Sequence, residues 1–175
     1  MKKALILYSS TDGQTIKISE FIGKELDDHQ CDILSLHENQ SIKLEDYDKV
    51  LIGASIRYGH LHKEFYKFVT ANKSRLERIN AAFFLVNLTA RKEDQGKDTP
   101  EGSAYVKTFL KKSPWTPNMI GVFAGALLYP RYKLFDRLCI QFIMKITGGE
   151  TDSSKEIEYT NWEKVAIFAR KFKEL

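Results

Sequence analysis

The sequence predicts an α/β fold in which a doubly wound, five-stranded parallel sheet carries helices on both of its faces. Short apolar runs alternate with amphipathic segments along most of the chain. These runs are almost continuously apolar, which is typical of strands that are covered on both sides. They are also bounded by turn residues, which separate them from segments whose apolar residues recur every three or four positions.

The elements follow in order along the chain. Five apolar runs predict strands over residues 3–8, 31–36, 48–55, 81–88 and 119–129. Helical spacing predicts helices over residues 15–28, 61–76, 101–112 and 161–172. In such sheets, ligands bind beyond the carboxyl ends of the strands, where the strand order reverses. The segments after the first, third and fourth strands are therefore the predicted site.

Length and composition limit the class of protein. The 175 residues are 43% apolar, which suits one domain spanning residues 1–175. A net charge of +4 is too weak to indicate a nucleic-acid partner. The first apolar run is too short to predict a signal peptide, and no uncharged apolar stretch reaches the roughly 18 residues of a membrane span. Cys31 and Cys139 lie far apart, which favours a reduced, cytoplasmic setting, and we predict no metal site.

One segment, residues 130–159, is too long for an ordinary connection and is predicted to be an insert. A helical wheel over residues 131–146 places one apolar side opposite a polar one. Phe135, Cys139, Phe142 and Ile146 share the first side, and Arg137, Gln141 and Lys145 share the second. A basic amphipathic helix indicates binding to a membrane surface or a partner. The alternative is a helix packed on its own domain.

The loop "YSSTDGQT", residues 8–15, leaves the first strand and opens the first helix. A helix N-terminus binds anions through its free N–H groups and its dipole. Four hydroxyl side chains can add donors, and Gly13 lets the backbone fold closely around a ligand; the hydroxyls are Ser9, Ser10, Thr11 and Thr15. The loop is neither a Walker A motif nor GxGxxG. It therefore suits static holding of a phosphate monoester, or else an ordinary helix cap.

Residues 10–15, Ser-Thr-Asp-Gly-Gln-Thr, resemble the FMN-phosphate loop of flavodoxins. The resemblance implies a flavodoxin-like fold with strand order 2-1-3-4-5, and FMN as the cofactor. It also implies cofactor contacts from the whole loop, Asp12 and Gln14 included. Flavodoxins usually carry a hydroxyl residue where Asp12 stands, and an inward-facing acid would repel phosphate. We therefore expect the Asp12 side chain to turn outward or to cap the helix.

Four further motifs are similar to the menaquinone-dependent protoporphyrinogen oxidase family. They are "IGASIRYGH" at 52–60, "VNLTARK" at 86–92, "AGALLYPRY" at 124–132 and "IMKITGGETD" at 143–152. This resemblance spans nearly the whole chain. It implies oxidation of protoporphyrinogen IX in haem synthesis, a membrane quinone as electron acceptor, and peripheral contact with the inner face of the cell membrane. Hydride would pass to flavin N5, and no side chain stands out as catalytic.

The resemblance also assigns residues to the flavin and the substrate. Around the ring it implies Ser55, Ile56, Arg57, Tyr58 and Gly59, followed by Asn87, Leu88, Thr89 and Ala90. Tyr58 could stack on the ring, Gly59 would let the backbone approach N5, and His60 would begin the next helix. Arg57 could contact a substrate propionate, while Arg131, Arg137 and Lys145 would face substrate or membrane. Alternatively, both loops are solvated turns.

Three other functions stay open at this point. The chain could be a flavodoxin-type electron carrier, although carriers tend to be acidic and this chain is not. It could also be an NAD(P)H:quinone reductase, or a flavin-free interaction module with the same fold. A homo-oligomer is compatible with the sequence as well.

Overall fold

A computed structural model describes residues 2–38 and 42–175. Its centre is a parallel sheet of five strands, in the order β2-β1-β3-β4-β5. The strands are β1 (Lys2–Ser9), β2 (His29–Ser35), β3 (Lys49–Ser55), β4 (Asn80–Asn87) and β5 (Met119–Ala124). The predicted fold class and strand order are confirmed. The order reverses between β1 and β3, so the predicted ligand crevice lies at their carboxyl ends.

Helices cover both faces of this sheet. They are α1 (Gln14–Glu25), α2 (Lys63–Ala71), α3 (Lys73–Leu76), α4 (Ala104–Lys112), α5 (Leu134–Ile146) and α6 (Trp162–Glu174). On one face, Ile18 and Ile22 of α1 and Phe168 of α6 pack on the strands. On the other face, Phe65 of α2 and Phe109 of α4 do the same. The strands are buried on both sides, which explains why their sequences are continuously apolar.

The predicted helix over residues 61–76 is two helices. The backbone N–H and the side-chain amide of Asn72 both donate to the Phe68 carbonyl, at 3.0 Å, and end α2 there. The helix also begins later than predicted, because His62 rather than His60 caps it. The His62 ring accepts a hydrogen bond from the Glu64 N–H through Nδ1 at 3.2 Å.

The predicted strand over residues 119–129 breaks at Gly125. A Cβ at that position would lie 3.2 Å from Val86 Cγ1, so the chain passes close to β4 where it leaves the sheet. Beyond the break, β6 (Ala126–Leu128) pairs antiparallel with β7 (Glu156–Glu158). The sequence stays apolar here because the run enters a third core, not because the strand continues. That core is formed by Leu127, Tyr129, Tyr132 and Met144.

The insert contains the predicted helix, shortened at its start. A 3-10 turn at Tyr129–Arg131 delays the beginning of α5 to Leu134. Tyr129 is fully buried, and its hydroxyl donates to the Glu150 carbonyl at 2.6 Å. Arg91, from the loop after β4, donates to the Thr147 hydroxyl at 3.0 Å and to the Thr147 carbonyl at 3.3 Å. These contacts fix the insert beside the carboxyl ends of the strands.

Candidate functional site

A cleft opens where β1, β3 and β4 end. It encloses about 840 Å³ of space, part of which is open solvent. Three loops supply most of its walls: Ser10, Thr11, Asp12, Gln14 and Thr15; Ser55, Ile56, Arg57, Tyr58 and Gly59; and Asn87, Leu88 and Thr89. The structure thus brings together thirteen of the sixteen residues predicted for cofactor binding.

The first loop presents an open helix N-terminus to the cleft. Helix α1 has no side-chain cap, so the ordinary-cap interpretation is wrong. Gly13 has φ 92°, and its N–H donates to Ser10 Oγ at 3.0 Å, which holds the turn closed. The Thr15 hydroxyl, in the first turn of α1, is buried and has no hydrogen-bond partner among residues 2–38 and 42–175. Because buried polar groups are normally paired, this hydroxyl points to a polar ligand in the cleft.

The loop after β4 presents a second unpartnered group. Asn87 Oδ1 accepts from the Thr89 hydroxyl at 2.6 Å and from the Ala90 N–H at 2.9 Å. Those two donors identify the oxygen, so the other side-chain atom is the amide nitrogen. Asn87 Nδ2 is buried and has no hydrogen-bond partner in the described part of the chain. The amide is therefore oriented by its own loop and leaves two donor hydrogens for a ligand.

The loop after β3 is a tight two-residue turn. Arg57 and His60 exchange both backbone hydrogen bonds, with the Arg57 N–H donating at 2.9 Å and the His60 N–H at 3.0 Å. Between them, Tyr58 has φ 49° and Gly59 has φ 79°. Left-handed backbone is ordinary for glycine but costs a tyrosine about 1 kcal/mol or more. The turn thereby presents the Tyr58 ring, half exposed, at the mouth of the cleft.

A cluster of charges joins this turn to the first loop and to the insert. Arg57 Nη1 donates to Asp12 Oδ2 at 3.1 Å, and Arg57 Nη2 lies 3.0 Å from Asp136 Oδ2. The Tyr58 hydroxyl donates to the Asp136 carboxylate as well. The guanidinium also lies over the rings of Tyr58 and Tyr132, at 5.2 and 5.7 Å from their centroids. Asp12 neither caps α1 nor turns away from the site, so that expectation is wrong.

The two carboxyl groups of this cluster have opposite pKa shifts. Burial raises the pKa of Asp12, and the Arg57 guanidinium offsets only part of that rise. The hydrogen bond from the Tyr58 hydroxyl holds the pKa of Asp136 below its ordinary value, with Arg57 adding to the effect. The same hydrogen bond raises the pKa of the Tyr58 phenol. Asp136 is therefore the more firmly ionised partner of Arg57.

Three residues predicted at the cofactor do not line the cleft. Ser9 Oγ shares a hydrogen bond of 2.8 Å with His37 Nε2 and is buried behind the loop. Ala90 is fully buried and contributes its N–H to Asn87 instead. Gly13 shapes the turn without lining the cleft. The loop after β4 is not a fully solvated turn, since its Arg91 bonds to Thr147 of the insert.

The predicted cations of the insert have separate environments. Arg131 forms a two-pronged ion pair with Glu156, with hydrogen bonds of 2.7 and 2.9 Å. Arg137 is half-buried, and its Nε has no partner. Lys145 is exposed on α5. None of the three lines the cleft.

Seven residues of the cleft wall were missed from the sequence. They are Val86, Tyr105, Gly125, Ala126, Tyr132, Ile140 and Ile143. Ile140 and Ile143 are three residues apart and so share a side of α5, which a helical wheel can show. What the wheel lacks is the direction in which the helix docks. Gly125, the second glycine inside this apolar run, was the available signal that the strand ends and the insert turns back.

Helix α5 turns its apolar side outward. Its exposed apolar face consists of Leu134, Phe135, Leu138, Phe142, Ile143 and Ile146, which are between 44% and 71% exposed. Met144 instead packs inward, and Gln141 bonds inward to the Thr151 carbonyl at 2.9 Å. The alternative of a helix that buries this apolar side in its own domain is therefore wrong. Ile143 belongs both to the face and to the cleft wall.

Comparisons with known proteins agree with this architecture. The flavodoxin domain family matches residues 5–154. A protoporphyrinogen IX dehydrogenase (quinone) of Leishmania major is 52% identical over 173 residues, which cover 97% of this chain and 74% of that protein. The protein of the same name from Escherichia coli strain K12 is 47% identical over 99% of this chain and 96% of that protein.

The chain belongs to the protoporphyrinogen IX dehydrogenase (quinone) family. The resemblance drawn from the four motifs is thus confirmed. Among solved structures, a flavoprotein of Lactobacillus acidophilus in complex with FMN aligns with a TM-score of 0.51. That alignment covers 70% of this chain and 93% of the other at 19% identity, so it supports the fold alone. Within residues 2–38 and 42–175, no helix of this family member has the length and apolarity to cross a bilayer.

Proposed function

We propose that this chain is an FMN-dependent protoporphyrinogen IX dehydrogenase that passes the electrons of its substrate to a quinone. The observation that carries the proposal is the identity of 47–52%, over nearly the whole chain, with relatives of that name. The cleft at the strand ends supports the cofactor, since its groups suit a flavin mononucleotide. When bound, FMN supplies the two-electron chemistry by accepting hydride from the substrate.

The open N-terminus of α1 would hold the phosphate of FMN. Its free N–H groups and the helix dipole favour an anion, and the buried Thr15 hydroxyl adds a donor without a present partner. The Asp12 carboxylate next to this site carries the same sign of charge as phosphate. The Arg57 guanidinium, 3.1 Å from Asp12 Oδ2, offsets that charge. An arginine 45 residues further along the chain thus reaches the first loop.

The loop after β4 would hold the ring. Asn87 Nδ2 offers two donor hydrogens in a buried position, which suits the carbonyl and nitrogen acceptors of the flavin pyrimidine edge. Leu88 packs against the core of the insert and gives the cleft an aliphatic wall. With Ile140 and Ile143, it makes one side of the cleft apolar. Such a side excludes water from the reacting atoms and suits a flat, largely hydrocarbon substrate.

Arg57 and Tyr58 are placed to recognise the substrate at the mouth of the cleft. A guanidinium binds carboxylates through paired hydrogen bonds, and the substrate named for the relatives is a propionate-bearing tetrapyrrole. Arg57 is only partly exposed, which strengthens such a contact, and the Tyr58 ring lies beside it. These two residues would orient the substrate while the apolar wall accommodates its rings.

The exposed apolar face of α5 would bind a lipid surface. A face of six exposed apolar side chains on one helix is rare on a free protein surface. Lys133 and Lys145 lie exposed at the two ends of the helix, which suits an anionic bilayer. Because Ile143 belongs both to this face and to the cleft, the site would open next to the membrane, where a quinone is dissolved. Peripheral contact with the membrane fits this arrangement.

A turnover assay tests the proposal. FMN-loaded protein is mixed anaerobically with protoporphyrinogen IX, with and without a water-soluble quinone, and protoporphyrin fluorescence is followed. We expect continuous turnover only with quinone, and the protein lacking FMN as control should give none. Quinone reduction by NAD(P)H instead would indicate the reductase. FMN binding without either reaction would indicate an electron carrier. Either of these two results would refute the proposed dehydrogenase activity.

A further inference from the structure

We propose that Asp136, in the first turn of the insert helix α5, is a positioning residue for the flavin site. It holds the Tyr58 ring and the Arg57 guanidinium in place at the cleft. The inference rests on the proposed function, because it requires a flavin in the cleft.

Tyr58 needs an external contact to stay where it is. It is the one non-glycine residue with positive φ in the described part of the chain, and its side chain stands on a two-residue turn. Its ring is half exposed, so packing alone leaves it free to rotate. The Asp136 carboxylate accepts a hydrogen bond from its hydroxyl and fixes the far end of the ring. Both ends of the Tyr58 side chain are then held.

Arg57 depends on the same carboxylate. One of its terminal nitrogens binds Asp12 and the other binds Asp136, at 3.1 and 3.0 Å. Each carboxylate therefore fixes one prong of the planar guanidinium. Without Asp136 the group keeps a single anchor and can rotate about it. Its position over the rings of Tyr58 and Tyr132 would then no longer be defined.

Asp136 can serve as an anchor because its own helix is fixed. An acidic residue in the first turn interacts favourably with the helix dipole. Met144 packs into the third core, and Arg91 binds Thr147 at the other end of α5. The hydrogen bond from Tyr58 also keeps Asp136 ionised to lower pH than usual. The insert thus reaches back to the loop after β3 and sets its geometry.

This role acts on the ring side of the cleft, not on the phosphate side. Tyr58 stands on the loop after β3, whereas the open helix N-terminus belongs to the loop after β1. Arg57 keeps its bond to Asp12 of the first loop when Asp136 is lost, so the charge beside the phosphate site stays balanced. Loss of Asp136 should therefore weaken the binding of FMN and of riboflavin equally, since riboflavin lacks only the phosphate. Loss of a phosphate contact would weaken the binding of FMN alone.

The experiment compares Asp136→Asn and Tyr58→Phe with the matched control Glu156→Gln. The control also removes one carboxylate charge from the insert and breaks an ion pair, the one with Arg131. Glu156, however, does not line the cleft. Dissociation constants of FMN and riboflavin are measured by fluorescence titration of the protein freed of flavin, together with the residual fluorescence of the bound flavin. A nearby tyrosine ring quenches flavin fluorescence, so this signal reports the position of Tyr58.

We expect both test variants to weaken the binding of both flavins about tenfold or more and to raise the residual fluorescence. Tyr58→Phe loses one charge-assisted hydrogen bond, and Asp136→Asn loses the charge that serves both this bond and the ion pair with Arg57. The double variant should bind no more weakly than Asp136→Asn alone, because that single change already removes the charged partner of Tyr58. Unchanged affinity and fluorescence in Asp136→Asn, a loss confined to FMN, or the same losses in Glu156→Gln would overturn the inference alone. Wild-type protein that binds neither flavin would overturn the proposed function itself.

Discussion

Removal of two aromatic side chains from the exposed apolar face of α5 should abolish binding to anionic vesicles. Phe135 is 71% exposed and Phe142 is 65% exposed. A phenylalanine side chain offers about 200 Å² when fully free, so the two present roughly 270 Å² to their surroundings. At about 25 cal/mol per Å², complete insertion of this area into lipid would contribute roughly 7 kcal/mol.

Helices at a bilayer interface insert only their apolar side, so about half of that value is a fair expectation. A loss of roughly 3.5 kcal/mol corresponds to more than a hundredfold weaker partitioning. The variant Phe135→Ser/Phe142→Ser should therefore stay in the supernatant when wild-type protein sediments with phosphatidylglycerol vesicles. Wild-type binding should weaken with salt, because the attraction of Lys133 and Lys145 to anionic lipid, about 1 kcal/mol each, is screened.

The matched control is Leu110→Ser/Ile167→Ser, which removes two exposed apolar side chains from α4 and α6. It should sediment like the wild type. If the two double variants behave alike, the face is not the lipid contact. If wild-type protein is instead a dimer by analytical ultracentrifugation and Phe135→Ser/Phe142→Ser is a monomer, the face binds a second copy of the chain and the lipid proposal is refuted.

Three further changes test other parts of the structure. Thr15→Val should weaken FMN binding about tenfold or more, because it removes a donor to a charged group. Riboflavin binding, measured by the same fluorescence titration, should stay near the wild-type value. Equal losses for the two flavins would contradict a phosphate contact. Gly53→Ala should lower the free energy of unfolding by roughly 1–3 kcal/mol or more in urea denaturation, because its Cβ would lie 2.1 Å from Phe84 Cζ in the buried centre of the sheet; unchanged stability would contradict this packing. Burial raises the pKa of Tyr47 and Tyr129 to about 12, and an unfolded tyrosine titrates near about 10. Their contribution to stability is therefore complete below that pH and is lost as pH rises toward about 12. Absorbance at 295 nm should show late-ionising tyrosines, one fewer in Tyr129→Phe, and a native titration complete near pH 10 would contradict the assignment.

The sequence predicted the sheet and most of the cleft because both depend on local signals. Continuous apolar runs mark strands that are buried on both faces, and strand ends mark the site. The helix break at Asn72 and the strand break at Gly125 were missed, because apolar residues resume beyond each break and were assigned to the same element. In each case a backbone carbonyl accepts a hydrogen bond from outside its own helix or strand pairing. The Phe68 carbonyl accepts from the Asn72 side-chain amide, and the Gly125 carbonyl accepts from the Tyr159 N–H, both at 3.0 Å.

The charge cluster could not be predicted from the loop sequences. Asp12, Arg57 and Asp136 are separated by 45 and 79 residues, and no spacing rule connects them. Considered alone, Asp12 repels phosphate and so was expected to turn away. Only the tertiary fold brings a guanidinium within 3.1 Å and makes an acid acceptable in that loop. Local chemistry identified the difficulty, and a distant residue resolves it.

The break at Gly125 also shows how such a domain can acquire a new part. Where the chain leaves the sheet it is hydrogen-bonded to the place where it returns: Tyr159 N–H donates to Gly125, and the Thr160 hydroxyl donates to the Ala124 carbonyl at 2.7 Å. The more than thirty residues between these two points therefore form a segment whose ends are adjacent. A domain of this kind can gain or lose such a segment while its five strands and final helix keep their positions.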